Sequence, residues 1–417
     1  MGATNSVDTQ DENAFSPLGK GVVLFVLLLT GILLNRYTNP YFALSGIITL
    51  SWSARGRMGW KANPLTVRKL KRFKAIKRGS ASFNILLLLW IFSLFAEFFI
   101  SNRALVVRYD GHWYFPTFSS VQLAGEFGIA GSERFEPVNY RELQASFAQE
   151  NGSGNFAIMP LIPYSPNESN SYNGILRPEP PSWSNQHLLG TDETGRDIFA
   201  RLIYGFRIAI FFALAFTVFT YLIGVVIGCL MGYFGGLTDL LGQRLIEIWS
   251  NIPFLYTVII IFSIVPTDFE VSIRITILLV VMVLFSWTGM TYYMRSGTLK
   301  ERARDYTSAA IVLGASPSRV IFSHILPNTL STLVTFMPFT ISGAIAAITA
   351  LDFLGFGLPA PTPSIGELLK QGQSNITNAP WIITSAFVSL TVLLTLITFV
   401  GEAVREAFDP KKFTQYL

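Results

Sequence analysis

Charge is what this chain has least of. Only 14% of its 417 residues are Asp, Glu, Lys or Arg, against about 25% in an ordinary soluble domain. Cysteine is scarcer still. Cys229 is alone, which excludes an internal disulfide and a Cys-based zinc cluster. It sits in an apolar run and reads as a small packing residue. His112, His187 and His324 lie far apart and lack metal-ligand spacing. No Gly-x-x-x-x-Gly-Lys-Ser/Thr loop is present to cradle phosphates, and neither Gly-x-Ser-x-Gly nor His-Glu-x-x-His occurs. The chain therefore offers no site for hydrolysing ATP itself, no bound cofactor or metal, and no catalytic residues. Its net charge of +5 is not a nucleic-acid signal, because the cations cluster beside apolar runs as membrane topology requires.

Apolar residues make up 51% of the chain, and they gather in runs. A membrane-crossing helix needs about 20 mostly apolar residues. The runs at 83–100, 208–231, 253–265, 276–294, 333–354 and 382–400 are the predicted spans, the third being short for one. They show no period-2 alternation, so helices fit and a porin-type barrel does not. The fold class expected is an all-α membrane protein.

Charge orients the spans. Arg55, Arg57, Lys61, Arg68, Lys69, Lys71, Arg72, Lys74, Lys77 and Arg78 precede the first span with no Asp or Glu among them. Segment 61–82 is therefore expected in the cytoplasm. Its part from 66 to 78 reads either as a basic helix lying on anionic headgroups or as a solvated topogenic signal. The first span, 83–100, then exits, and 101–200 forms a periplasmic insertion. Between 101 and 190 it carries eight acidic and five basic residues. Five more spans in 201–404 return the chain so that segment 295–327 and the tail 405–417 face inward. The extension 1–60 contains two short apolar runs, 21–34 and 41–52. They fit a membrane hairpin, which is favoured, or one span with an interfacial segment.

Several local patterns stand out. Gly224, Gly228, Gly232 and Gly236 recur every fourth residue and read as a helix-packing face. Segment 110–116 (Asp-Gly-His-Trp-Tyr-Phe-Pro) reads as an interfacial aromatic belt, which is favoured, or as a lining of the entrance. Thr191 or Asp192 is placed to cap the helix that enters the second span. Glu97, Arg207 and Asp352 lie near span ends, where snorkelling or capping accounts for them, and no partner at matching depth is evident for a proton relay.

The polar segment 305–327 is the most informative. Ser308, Ala309, Ala310, Gly314, His324, Leu326 and Pro327 are spaced as a short helix, a tight turn and a second short helix between apolar runs. This segment resembles the EAA loop of ABC importer permeases. Segments 105–116, 189–205, 242–250 and 351–359 extend the resemblance over about 83–412, to the dipeptide/oligopeptide class of binding-protein-dependent importers, and most to the second permease of its microcin C-type branch. The resemblance implies a six-helix core, a bacterial inner-membrane location, a second permease in a heterodimer, separate ATP-binding subunits that hydrolyse ATP, a periplasmic substrate-binding protein, and contact with membrane lipid. It implies that Ala309, Ala310 and Gly314 form the seat and turn of a coupling helix, and that Pro327 starts the helix of the fifth span. Ser308 and His324 depart from the general pattern, which has Glu and Ile there. The competing class is a secondary transporter or channel with no ATPase. On the coupling reading, Gly314→Asp is expected to leave the protein in the membrane and abolish uptake, as membrane fractionation and a transport assay would show.

Overall fold

The computed structural model describes residues 64–129, 132–149, 154–170, 177–266 and 269–409. The apolar runs 21–34 and 41–52, and Lys411 and Lys412, lie outside them. One compact unit covers Arg68–Leu417. Among the described residues, four helices are long and apolar enough to cross a membrane, or up to six if each of two bent helix pairs is one span.

The first pair is α1 (Pro64–Ala75) and α2 (Lys77–Leu94), which meet at 95°. The first span thus starts at Lys77 and breaks at Phe95, before a single helical turn, Ala96–Phe99. After the insertion comes α4 (Ile198–Phe234), 37 residues long and so about 55 Å. The second bent pair is α5 (Gly236–Ser250) and α6 (Phe254–Ile264), at 68°. Alone, α6 is about 16 Å long, half of a bilayer core, which is why its run looked short for a span. Pro253 forces the break, since the residue before a proline is disfavoured in helical geometry. Then follow α7 (Val271–Arg302), α8 (Asp305–Val312), α9 (Pro317–Leu354), the short α10 (Ile365–Ser374) and α11 (Pro380–Phe408).

The insertion folds. Strands β1 (Val106–Tyr109), β2 (His112–Tyr114) and β3 (Phe156–Ile158) form an antiparallel sheet in the order β2-β1-β3. The amphipathic α3 (Tyr140–Gln149) completes it. Val107, Phe127, Tyr140, Leu143, Phe147 and Ala157 make its core. Segment 110–116 forms the turn and second strand of a hairpin. Asp110 (φ 47°) and Gly111 (φ 76°) form its two-residue turn, and Tyr109 pairs with His112. Asp-Gly favours this turn because both positions need positive φ.

The longest seam joins α4 to α7. Gly224 faces Met290, Gly228 faces Thr291 and Met294, and Gly232 faces Arg295 and Thr298. Both numbers rise together, so the two helices run parallel. A Cβ at these glycines would lie 2.6 to 2.7 Å from the facing atoms, closer than side chains tolerate. Gly236 does not belong to this face. The helix ends at Phe234, Gly235 and Gly236 turn with φ of 64° and 51°, and nothing lies within 4 Å of a Cβ at Gly236. The four-residue spacing continues in the sequence past the point where the helix stops. Buried Cys229 lies on the same seam, with Thr298 Oγ1 at 3.5 Å.

The parallel seam sets the chain's alternation. α4 leaves the inserted domain, α5 and α6 return toward it, and α7 leaves again. α9 returns, bringing Asp352 to Ser364 beside α10. α11 starts where the Trp381 indole donates to the Thr191 carbonyl (3.1 Å) and ends where Ala403 packs on Gly79 of α2. Segment 303–316 therefore lies at the end opposite the inserted domain. Gly228→Leu is expected to destabilise the protein by about 1–3 kcal/mol through overpacking. Gly289→Ala, where a Cβ meets nothing within 4 Å, is expected to leave the thermal midpoint of purified protein unchanged.

Candidate functional site

Two ends of the bundle carry the polar architecture. At the end away from the inserted domain, α8 follows directly on α7. Thr307 Oγ1 donates to the Glu301 carbonyl (2.7 Å) and Tyr306 Oη to Glu301 Oε2 (2.7 Å). Asn328 Nδ2 then donates to Tyr306 Oη (3.1 Å), so three helices share one anchor. Burial, first, and the hydrogen bond to Glu301 push the Tyr306 hydroxyl above its usual pKa.

Gly314 terminates α8. Its φ is +81°, its N–H donates to the Ile311 carbonyl and that of Ala315 to the Ala310 carbonyl (both 3.0 Å). That pair of bonds is a Schellman motif, in which glycine takes the left-handed position that a Cβ disfavours. Helical spacing then sorts the faces. Thr307 and Ala310 turn inward and are buried, where α8 packs on segment Val320–Ile325. Ser308 and Ala309 are exposed. Ala310 is thus spent on the chain's own packing, a correction to its expected role in seating a partner. The outward surface is apolar: Val312 and Leu313 are each 86% exposed, and Ile311 and Phe322 are exposed as well.

The second short helix of the expected pattern is not separate. Helix begins at Pro317 and runs on through Leu354, and Val320–Ile325 is π-helical. Pro327 therefore lies inside a helix rather than starting one. Lacking an N–H, Pro327 cannot bond back four residues, and the wider turns just before it absorb the mismatch. His324 and Leu326 are half-buried along this stretch, and Pro327 is exposed.

At the opposite end, the start of α4 holds a buried ionic network. Asp192 Oδ1 accepts from the Thr194 and Arg196 N–H groups (2.9 and 3.0 Å), and its Oδ2 accepts from Arg196 Nε (2.8 Å). Arg196 Nη2 reaches Glu367 Oε1 of α10 (2.9 Å). Arg201, 0% exposed, pairs through Nη2 with Glu367 Oε2, donates through Nη1 to the Pro166 carbonyl (2.9 Å), and has Nε 3.5 Å from Asp192 Oδ2. Burial alone would discourage the Arg196 charge, but the Asp192 and Glu367 carboxylates outweigh it and hold its pKa above the usual arginine value. Asp197, not Thr191 or Asp192, caps α4: its Oδ1 accepts from the Ala200 N–H (2.7 Å), and its Oδ2 meets His187 Nδ1 (2.8 Å). Asp192 is occupied by its own loop and the arginines. Nearby, Asp352 accepts from the Leu358 N–H (2.6 Å) and the Ser364 hydroxyl, and Ser364 in turn caps α10 by accepting from the Gly366 and Glu367 N–H groups.

Comparison with known proteins decides what kind of molecule carries these two ends. Residues 224–414 match the family model "Binding-protein-dependent transport system inner membrane component". Over 374 residues the chain is 39% identical to "Peptidoglycan transport system permease protein YejE" of Agrobacterium fabrum, covering 84% of this chain and 94% of that one. It is also 39% identical to "Inner membrane ABC transporter permease protein YejE" of Escherichia coli, covering 84% and 99%. "Dipeptide transport system permease protein DppC" of Haemophilus influenzae is 34% identical over 60% of this chain and 83% of that one.

The chain belongs to this family of inner-membrane permeases.

In the permease, the family match starts within α4 and runs through α11, so it takes in both the seam and the 305–327 segment. The inserted sheet domain and α2 lie before it. Three ion pairs went unread in the sequence. Glu97 and Arg207 were assigned to separate span ends, yet Arg207 Nη1 meets Glu97 Oε1 at 2.9 Å across α2 and α4. Glu367, the hub for both buried arginines, was not singled out at all. Its partners are 166 and 171 residues away in sequence, and no local spacing reports such a contact.

Glu367→Gln removes the counter-charge of a fully buried guanidinium. Breaking a buried pair from one side costs about 3–5 kcal/mol. The variant is expected to show a markedly lower thermal midpoint, while Glu247→Gln, whose pair with Arg244 is largely exposed, is expected to match the wild type.

Proposed function

We propose that this permease forms half of the translocation pore of an ATP-driven importer for oligopeptides or peptide-like compounds of the microcin C type. It pairs with a second, homologous permease, couples to separate ATP-binding subunits that hydrolyse ATP, and receives substrate from a periplasmic binding protein. The observation that carries the reading is the exposed apolar knuckle Val312–Leu313. It stands at the end of the bundle opposite the inserted domain, on a short helix anchored to both α7 and α9. Two large apolar side chains presented outward next to a Schellman turn fit a groove in another protein far better than they fit water.

Family membership supports a separate motor, since the chain has no phosphate-binding loop of its own. The relatives' names support the substrate class: peptidoglycan and dipeptide transport both concern peptide-bearing solutes. On this reading α8 is the coupling helix. Closure of the ATPase pair pushes it, and α7 and α9 move with it because Tyr306, Thr307 and Asn328 tie all three together. The α4–α7 seam passes that motion along the bundle as a rigid body. The inserted domain, at the other end, meets the binding protein or shapes the entrance. Segment 405–417 and the basic segment 61–82 face the cytoplasm with the coupling helix.

The double variant Val312→Asp, Leu313→Asp changes only exposed side chains. It is expected to leave the amount of protein in the membrane unchanged, to abolish copurification with an ATP-binding subunit, and to reduce ATP-dependent peptide uptake in vesicles by at least tenfold. Unchanged copurification and uptake would overturn the coupling reading. Uptake that persists without ATP and follows an ion gradient would favour a secondary transporter.

A further inference from the structure

We propose that α1 is an interfacial helix that holds anionic phospholipid headgroups at the coupling end of the permease. Its geometry suits no other part of the membrane. α1 meets α2 at 95°, so while α2 crosses the bilayer, α1 runs along its surface. It is held at that level from three sides. The Phe73 ring meets Phe83 edge-on at 6.0 Å, Lys69 Nζ sits 4.7 Å above the Phe408 ring, and Arg78 pairs with Glu402 at 3.3 Å. Gly79 admits Ala403 beneath this corner. The elbow is therefore docked on α11 and does not swing free.

What α1 then presents outward is specific. Arg68, Lys71 and Lys74 are exposed and recur every third residue along one side of the helix. Leu70, 53% exposed, lies beside them. No acidic residue occurs in α1, and Lys77 and Arg78 continue the cationic edge into the start of α2. An exposed leucine flanked by cations, at the depth where a spanning helix begins, matches an interface with acyl chains on one side and phosphates on the other. A nucleic acid would leave Leu70 without an apolar neighbour. Zwitterionic headgroups would offer the three cations no net attraction. Anionic headgroups satisfy both the charge and the apolar edge.

The inference does not depend on the coupling reading and survives its failure. The full-length chain is reconstituted in nanodiscs of phosphatidylcholine mixed with phosphatidylglycerol, and lipids retained after extraction are identified by native mass spectrometry. Wild-type protein is expected to retain phosphatidylglycerol in preference to phosphatidylcholine, and molar salt is expected to erase the preference. Each cation near a headgroup layer contributes about a fivefold change in binding. The triple variant Arg68→Gln, Lys71→Gln, Lys74→Gln is thus expected to lose the preference by well over tenfold, and Arg68→Lys, Lys71→Arg, Lys74→Arg to keep it. If the triple variant does not fold, the salt dependence of the wild type and the charge-conserving variant still decide the matter. Equal retention of the two lipids by wild type, or identical retention by wild type and triple variant, overturns the proposal. So does a triple variant that loses a protein partner while its lipid retention stays the same.

Discussion

Arg201 is wholly buried and charged, and the end of the permease nearest the inserted domain is arranged around keeping it paired. A lone guanidinium taken out of water would cost several kcal/mol. Glu367 from α10 and Asp192 from the loop before α4 share the two arginines, while the Pro166 carbonyl takes a further N–H. These groups come from segments far apart in the chain. The network therefore closes only when the tail of the inserted domain, the first turn of α4 and the short helix α10 have all reached their places. It acts as a test of correct assembly more than as a source of net stability, because an apolar replacement of similar volume is often as stable as a buried ion pair.

The other organising constraint is apolar and geometric. Three glycines let the backbone of α4 lie directly against Met290, Met294 and Thr298 of α7. A seam this close transmits displacement, because there is little soft material to deform. It links the ionic network at one end to the α8 knuckle at the other. The α5–α6 pair is strapped to the same unit by Asp239, whose carboxylate takes both Nε and Nη2 of Arg295.

Much of this was legible in the residues. The apolar runs located the helices, and the cation-rich borders gave an alternation with which the parallel seam agrees. The glycine period pointed to a packed face, and it erred only at Gly236, where the same spacing continues after the helix has stopped. The Asp110-Gly111 pair is a readable hairpin signal between Val107 and Tyr114, one that says nothing of where the surrounding aromatics sit relative to the bilayer. Ala310 was misassigned because a sequence motif does not say which face of an eight-residue helix turns inward. That is settled by what α8 packs on. The Glu97–Arg207 and Arg201–Glu367 pairs were invisible for a deeper reason. Their partners are separated by 110 and 166 residues, and only tertiary folding brings them together.

The parallel course of α4 and α7 has an electrostatic consequence. Side-by-side parallel helices add their dipoles instead of cancelling them, so two partial positive charges gather at the inserted-domain end and two partial negative charges gather at the α8 end. Asp197 sits on the α4 positive pole. Lys300 and Arg302 occupy the last turn of α7, and the Arg302 guanidinium lies 5.6 Å over the Tyr233 ring at the end of α4. The helices α2, α5–α6 and α9 run against this pair and offset it along the bundle, so the summed dipole is felt only at the two ends of the seam, where Asp197 and the Lys300 and Arg302 side chains complement it within a single helical turn.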